Sequence, residues 1–178
     1  MNATFKVEKP GSQIDAVLRV TQAHLVHLSS MADVKANMLL TMSSVVMTLS
    51  LPQLIRNTHL WPLIILIAFC LITIGLATYA VMPKTPFRHD PTKPDVNSLG
   101  FNLLFFGDFT RLTQPEFESA MQEVVNDHSR IYGTQVRELY LLGIFLAQKK
   151  YRFLRLAYIS FITGLTLAFI GFLILAFK

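Results

Sequence analysis

The sequence predicts an all-α membrane protein, with three transmembrane helices and a small helical cytoplasmic bundle formed by extensions of the membrane helices. Three apolar segments without a charged residue, 37–55, 60–82 and 156–177, support this prediction. A helix rises about 1.5 Å per residue, so about 20 such residues cross a hydrocarbon core about 30 Å thick. The composition agrees, because 15% of the residues are charged, whereas soluble domains have about 25%.

The positions of Lys and Arg predict the orientation of the chain, because positive residues accumulate in cytoplasmic loops. The connection between the first two spans holds only Arg56, whereas segments 1–36 and 83–155 hold most of the others. We therefore expect a cytoplasmic N-terminus and a C-terminus on the opposite side of the membrane. The same distribution explains the net charge of +5. Since no RNA- or DNA-binding motif accompanies that charge, no nucleic-acid partner is expected.

The first cytoplasmic segment, residues 1–36, is predicted to be helical from Ser12 onward. Ser12 can cap this helix, with Asp15 in the capping-box position, and apolar residues then recur at helical spacing. Nothing before Pro52 has to break the helix, so the cytoplasmic part and the first span are expected to form one rod. Pro52 is expected to end that rod, and Pro62 to begin the second membrane helix.

The second cytoplasmic segment, residues 83–155, is predicted to be a helical sensor region. It starts with a loop over residues 83–97, which contain four prolines. The short apolar segment 98–109 is too short to cross a membrane. It could lie on the membrane surface or pack on the bundle, and packing is the favoured alternative.

Two further helices are predicted in the sensor region. Thr113 and Glu116 match a capping box, and the apolar residues that follow predict a helix over 114–132. Gly133 weakens this pattern. A second apolar series then predicts a helix over 134–155 that leads straight into the third span.

Catalytic and metal-binding patterns are weak in this sequence. His24 and His27 share a helix face and could hold a metal with Asp33 or His128, but no HExxH or paired CxxC pattern accompanies them. Two half-buried histidines in a bundle are the favoured interpretation. No phosphate-binding glycine loop or nucleophile elbow is present. The sequence therefore predicts a protein that is not an enzyme and needs no cofactor or metal.

A charged pair, Asp33 and Lys35, lies where the first span begins. One interpretation is interfacial anchoring, in which Lys35 extends to the lipid headgroups. The other is an ion pair between Asp33 and an Arg or Lys of the helix that leads into the third span, such as Lys150 or Arg152. Such a pair would couple the cytoplasmic bundle to the membrane helices, and it would be costly to break once partly buried.

The first span also contains hydroxyl side chains, among them Thr41, Ser44 and Thr48. These hydroxyls can bond back to their own helix or to a neighbouring helix, which is the favoured interpretation. Alternatively, they form a polar face that lines a water path when several copies assemble.

Several cationic and aromatic residues of the sensor region are candidates for binding an anionic nucleotide. A phosphate requires guanidinium or imidazole donors, and a base requires an aromatic face on which to stack. The candidate ligand-binding residues are Arg88, His89, Arg111, Arg130, Arg137 and Tyr132.

Three motifs resemble one known family. Residues 31–40, MADVKANMLL, resemble the ADxKAxxLL motif that heads the first span of the Pycsar transmembrane effectors. Residues 102–109, NLLFFGDF, are similar to the apolar FFG segment of that family, and residues 148–158, QKKYRFLRLAY, to the start of its last span. Their order and spacing also match, and together they extend the resemblance over most of residues 15–177.

The resemblance implies an antiphage effector in the bacterial inner membrane. In such systems infection triggers a cyclase that makes cUMP or cCMP, and the effector senses this nucleotide and disrupts the membrane, causing abortive infection. It also implies a cognate cyclase, the lipid bilayer and further copies of the chain as partners. The alternative is a non-catalytic membrane anchor or scaffold that recruits a cytoplasmic partner enzyme. The resemblance supplies no binding-residue motif.

Overall fold

The computed structural model describes residues 7, 8, 10–57, 60–83, 95, 96, 98 and 101–177. Within these residues all regular structure is helical. The elements are α1 Ser12–Arg56, α2 Trp61–Val81, α3 Phe106–Phe109, α4 Gln114–Val125, α5 His128–Phe145, a π-helical segment Leu146–Tyr151, and α6 Arg152–Ala176.

Three helical stretches are long and apolar enough to cross a membrane: Ser12–Arg56, Trp61–Val81 and His128–Ala176. The first and third are 45 and 49 residues long, about twice the length that a bilayer requires. The excess lies before the apolar segments, as expected for membrane helices that extend into a bundle. The predicted fold class is confirmed.

The chain divides into two compact units. The first comprises Met1–Val26 and Pro83–Ile144, and the second comprises His27–Met82 and Phe145–Lys178. Helix α1 contributes residues to both units.

The second unit is a three-helix bundle of α1, α2 and α6. Ala32, Ala36 and Leu39 on α1 are fully buried. They belong to one apolar core with residues of the other two helices: Leu63, Leu66, Cys70, Ala77, Leu154, Ala157, Phe161 and Ala168. The outward faces of the three helices carry exposed Val, Leu, Ile and Phe residues, as a lipid-facing surface requires.

Glycines on α6 bring its backbone close to α2. A Cβ at Gly164 would overlap the side chain of Phe69, and a Cβ at Gly171 would lie 2.9 Å from Cγ of Pro62. Small residues at such positions allow two membrane helices to approach closely and to gain dispersion contacts. The packing of α2 on α6 therefore depends on the absence of a side chain at these two sites.

Helix α1 differs from the sequence prediction at both ends. Gly11, and not Ser12, is the cap, because its carbonyl accepts the N–H groups of Ile14 at 3.0 Å and Asp15 at 3.3 Å. At the other end α1 passes through Pro52 and continues to Arg56. A proline removes a single N–H donor from the helix, and only about one turn follows it here.

The first unit contains α3, α4, α5 and the beginning of α1. Phe101 and Leu103 of the short apolar segment are 4% and 5% exposed and pack inside the unit, whereas Leu104 and Phe106 are 41% and 56% exposed. Helix α4 starts after Thr113 as predicted, with Glu116 accepting the N–H of Thr113 at 2.9 Å.

Helix α4 ends at Val125, seven residues before its predicted end, and α5 begins at His128, six residues before its predicted start. Gly133 is inside α5, and Asp127 is the cap of that helix. The Oδ1 atom of Asp127 accepts the N–H of Ser129 at 2.8 Å and that of Arg130 at 3.3 Å. A side-chain acceptor that satisfies two free N–H groups at a helix start outweighs the weak helix propensity of one glycine.

The close contact at Gly164 generates a stability prediction. Gly164→Ala should lower the stability of the detergent-solubilised protein by about 1–3 kcal/mol, because the added methyl group overpacks the contact with Phe69. The measurement is the midpoint of thermal unfolding. Gly75→Ala on α2 is the matched control, since a Cβ there meets no atom within 4 Å. Equal midpoints for the two variants would contradict this account of the packing.

Candidate functional site

A buried lysine on the π-helical segment binds two residues of α1. The Nζ atom of Lys150 lies 2.6 and 2.8 Å from the two carboxylate oxygens of Asp33, and 2.8 Å from the hydroxyl of Ser29. The side chain of Lys150 is 11% exposed, whereas that of Asp33 is 42% exposed. Charge-assisted hydrogen bonds of this length are strong, and they compensate the ammonium group for the water that it has lost.

The preceding residue, Lys149, binds α2. Its Nζ atom donates to the carbonyl of Met82 at 2.8 Å, and Met82 is the C-terminal cap of α2. The last carbonyls of a helix lack partners within the helix and carry partial negative charge, so a cation stabilises them. The ammonium group also lies 5.4 Å from the centre of the Tyr79 ring, within the range of a cation–π contact.

Lys149 and Lys150, with Ser29, Asp33 and Met82, are called the lysine clasp below. A third contact adjoins the clasp, since the hydroxyl of Tyr151 donates to the carbonyl of Leu28 at 3.1 Å. All of these contacts lie inside the second unit, just before the first and third apolar segments and at the end of the second. The clasp can hold three membrane helices together electrostatically.

Both lysines of the clasp lie on the π-helical segment. A π-turn contains about one residue more than an α-turn and occurs most often as a single widened turn, frequently at functional sites. Here it spans Leu146–Tyr151 and contains both lysines.

The structure contains the ion pair that one of the two interpretations of the charged pair predicts. Asp33 pairs with Lys150, so the interhelical ion pair is confirmed. Arg152, the other predicted partner, is exposed, and Lys35 is half-buried. Neither has an ion-pair partner within the described part of the chain.

Two of the predicted ligand-binding arginines, Arg130 and Arg137, have partners within the first unit. Arg130 pairs with Glu123 at 2.7 Å. Arg137 donates to the carbonyls of Ser98 and Phe101, both at 3.4 Å. Arg111 is exposed, and Arg88 and His89 lie outside the described residues. Their nucleotide-binding role stays a prediction.

Tyr132, the aromatic candidate, is buried and bound to α1. Its hydroxyl donates to Asp15 at 2.8 Å. This hydrogen bond to a carboxylate raises the pKa of Tyr132 above its ordinary value, and partial burial acts in the same direction. Tyr132 is 6% exposed, so it fixes the position of the Asp15 carboxylate and does not present a free ring.

A groove of about 250 Å³ opens beside Asp15 in the first unit. Its polar lining consists of Asp15, Arg19 and Gln22 on α1 and Gln135 and Glu138 on α5, and three leucines complete it. Sequence reasoning missed this groove. The polar residues of α1 recur at i, i+4 and i+7, so the sequence indicates one wall of the groove. The opposite wall, on α5, depends on tertiary packing and has no signal in the sequence.

The carboxylate of Glu138 is held in place by a buried residue. The side-chain amide of Asn102 donates to it, and Asn102 is 2% exposed. The backbone N–H of Asn102 donates in turn to Asp108 at 3.0 Å. Glu138 is thus a positioned acceptor on the wall of the groove.

Both threonine hydroxyls of the first span bond to their own helix. Thr41 donates to the carbonyl of Asn37, and Thr48 to that of Ser44, both at 2.9 Å, as favoured from the sequence. Ser43 differs, because its hydroxyl oxygen is buried and has no hydrogen-bond partner within the described residues.

His24 and His27, which were predicted to be half-buried in a bundle, are both exposed, so that prediction is wrong. Across the described residues, no group of three or more His, Cys, Asp or Glu side chains is placed to hold a metal ion.

Comparison with known proteins places most of the chain in one family. A family model described as a Pycsar effector protein domain matches residues 16–177. No match was found among curated proteins or among solved structures. The matched range includes every residue of the lysine clasp and all but Asp15 of the polar groove residues.

The lysine clasp generates a second prediction. Asp33→Asn should destabilise the protein by about 1–3 kcal/mol, because it leaves the poorly exposed ammonium of Lys150 without a counter-charge. The double variant Asp33→Asn/Lys150→Met should recover part of this loss. Thermal unfolding of the single and double variants measures the coupling energy. Lys35→Gln should cause little change. Destabilisation by Lys35→Gln equal to that by Asp33→Asn would favour interfacial anchoring over the clasp.

The bond from Tyr132 to Asp15 generates a prediction about pH. The folded pKa of Tyr132 is raised, so its stabilising contribution is complete below pH about 10, the ordinary tyrosine pKa. It is lost as the pH rises through the higher folded value. Absorbance of tyrosinate should therefore show a late-titrating fraction in the folded protein. Tyr132→Phe should remove that fraction, and Tyr140→Phe, at an exposed position on the same helix, should not. Loss of the same part of the curve in both variants would contradict the assignment.

Proposed function

Because this chain belongs to the Pycsar effector family, we propose that it senses a cyclic nucleotide and then disrupts the inner membrane. Membership supports the role of an antiphage defence effector and, with it, a cyclase that supplies the signal. The proposed signal is cUMP or cCMP. The proposed outcome is abortive infection, in which the infected cell dies before phage mature, and the protein acts without catalysis, cofactor or metal.

The observation that supports this function best is the lysine clasp. The spans of an effector that kills its own cell must stay closed until the signal arrives. The clasp joins α1, α2 and the start of α6 through two adjacent lysines. A partly buried ion pair is costly to break when one partner is removed, so it makes a suitable resting lock.

The proposed trigger is a ligand that favours the open arrangement. Shifting a resting equilibrium of 1:99 to 99:1 requires about 5.5 kcal/mol of differential binding. Charge-assisted hydrogen bonds contribute about 1.5–3 kcal/mol each, so a few of them to one nucleotide suffice. Helices α1 and α5 both carry polar residues of the first unit. Further along the chain, α1 itself contains the clasp residues Ser29 and Asp33, and α5 is followed directly by the π-helical segment with Lys149 and Lys150.

The proposed damage involves the exposed polar face of α1. Thr41, Ser44 and Thr48 recur along one side of the helix and are exposed. When copies of the chain assemble, these hydroxyls would face a shared water path or disturb the lipid. The proposed orientation follows the positive-inside rule, with a cytoplasmic N-terminus and a periplasmic C-terminus.

Dye release from liposomes tests this function. Purified protein is reconstituted into liposomes loaded with a self-quenching dye, and cUMP or cCMP is present on both sides so that random orientation does not matter. We expect ligand-dependent release from wild-type protein. Asp33→Asn should release dye without ligand, because the clasp no longer holds the resting state.

Protein-free liposomes with the same nucleotides provide the control. If neither nucleotide binds and neither causes release, the effector mechanism proposed here is wrong. That outcome would favour the non-catalytic anchor or scaffold, which predicts neither ligand binding nor permeability.

A further inference from the structure

We propose that the groove between α1 and α5 in the first unit is the nucleotide site, and that it selects a cyclic mononucleotide whose base has an exocyclic amino group. Cytosine, and therefore cCMP, fits this description, whereas uracil does not. This inference rests on the proposed function, and it assigns a place and a ligand preference to the sensing step.

The groove offers polar groups that the protein itself does not use. Arg19, Gln22 and Gln135 line it, and none of them has a hydrogen-bond or ion-pair partner within the described residues. By contrast, Arg130 and Arg137 are already engaged by protein acceptors. A ligand in the groove would gain new bonds without first breaking old ones.

The two carboxylates of the groove are held in fixed positions. Tyr132 binds Oδ1 of Asp15, and Asn102 binds Oε2 of Glu138. Each carboxylate therefore keeps one oxygen for a ligand. Supporting bonds of this kind reduce the entropy that a side chain loses when it binds, and they fix its direction.

The charge of the groove limits how many phosphates it accepts. Asp15 and Glu138 are negative and Arg19 is positive, so a ligand meets one cation for its phosphate. A cyclic mononucleotide has one phosphate charge, which the guanidinium of Arg19 can bind. Each further phosphate of a cyclic di- or trinucleotide would meet uncompensated carboxylates. The volume of about 250 Å³ also lies below the range of about 300–1,000 Å³ typical of drug-sized ligands.

The acceptors in the groove distinguish the bases. A carboxylate accepts a hydrogen bond from the exocyclic amine of cytosine. Uracil has a carbonyl oxygen at the corresponding position, and two oxygens would repel each other there. A site built to receive a donor rejects an analogue that lacks it, because the buried acceptor stays unpaired. The free oxygen of Glu138 is the proposed acceptor, and Leu18, Leu104 and Leu139 supply an apolar surface for the ring.

Binding measurements on the full-length detergent-solubilised protein test the site. The panel is cCMP, cUMP, cAMP and a cyclic dinucleotide. We expect cCMP to bind at least tenfold more tightly than cUMP. Arg19→Gln should weaken both pyrimidine nucleotides about tenfold or more, because it removes the phosphate partner. Glu138→Gln should weaken cCMP selectively, because an amide can turn its donor towards the oxygen of uracil.

Control variants separate binding from folding. Glu118→Gln on α4 makes the same chemical change at an exposed position and should bind cCMP like wild type. Glu138→Gln keeps an oxygen for Asn102, and a wild-type unfolding midpoint would show that the fold is intact. Gln135→Leu provides a second variant that removes a groove donor without touching Asn102 or Tyr132, and it should also weaken cCMP.

The outcomes separate this inference from the function on which it rests. If a cyclic nucleotide binds but Arg19→Gln and Glu138→Gln leave its affinity unchanged, the groove is not the site, although sensing stands. Loss of binding in Arg130→Gln alone would place the site at the arginines predicted from the sequence. If cUMP binds as tightly as cCMP, the base preference is wrong. If no nucleotide binds wild-type protein, both proposals fail.

Discussion

The contact on which the arrangement of the membrane helices depends is the ion pair between Lys150 and Asp33. An ammonium group that is nearly buried at the start of an apolar helix cannot be left without a counter-charge, because its desolvation costs several kcal/mol. The side chain of Lys150 finds both oxygens of Asp33 and the hydroxyl of Ser29. This requirement fixes α1 beside the start of α6 more narrowly than apolar packing does, since apolar contacts have no direction.

A single stretch of chain, the π-helical segment, contacts two helices at once. Consecutive side chains of a helix point in directions about 100° apart, so this pair reaches α1 through Lys150 and the end of α2 through Lys149. A π-turn is less stable than the α-turns around it and persists where other contacts compensate. Here the compensation is electrostatic, so the backbone irregularity and the clasp stabilise each other.

The sequence predicted the spans well, because a charge-free run of about 20 residues has few alternatives. It predicted an ion pair for Asp33 but could not choose between basic residues such as Lys150 and Arg152, since that choice depends on which side of the helix faces α1 after packing. It predicted a helix boundary at Gly133, but the structure has the boundary at Asp127, whose side chain caps α5. The groove was missed because Asn102 and Tyr132, which position its carboxylates, lie far from those carboxylates in sequence.

The two ways in which the bundle is held together differ in how readily a signal can change them. The contact of Gly164 with Phe69 is steric and has no charged or titratable group, so α2 and α6 are expected to move as one body. Helix α1 is held by the charged clasp, and the buried hydroxyl of Ser43 on it has no hydrogen-bond partner within the described residues. An unsatisfied buried hydroxyl costs about 1–3 kcal/mol, which is recovered in any arrangement that gives it a partner. The resting position of α1 is therefore held by an ion pair and opposed by a hydroxyl, and under the proposed function α1 is the helix that a bound nucleotide would displace.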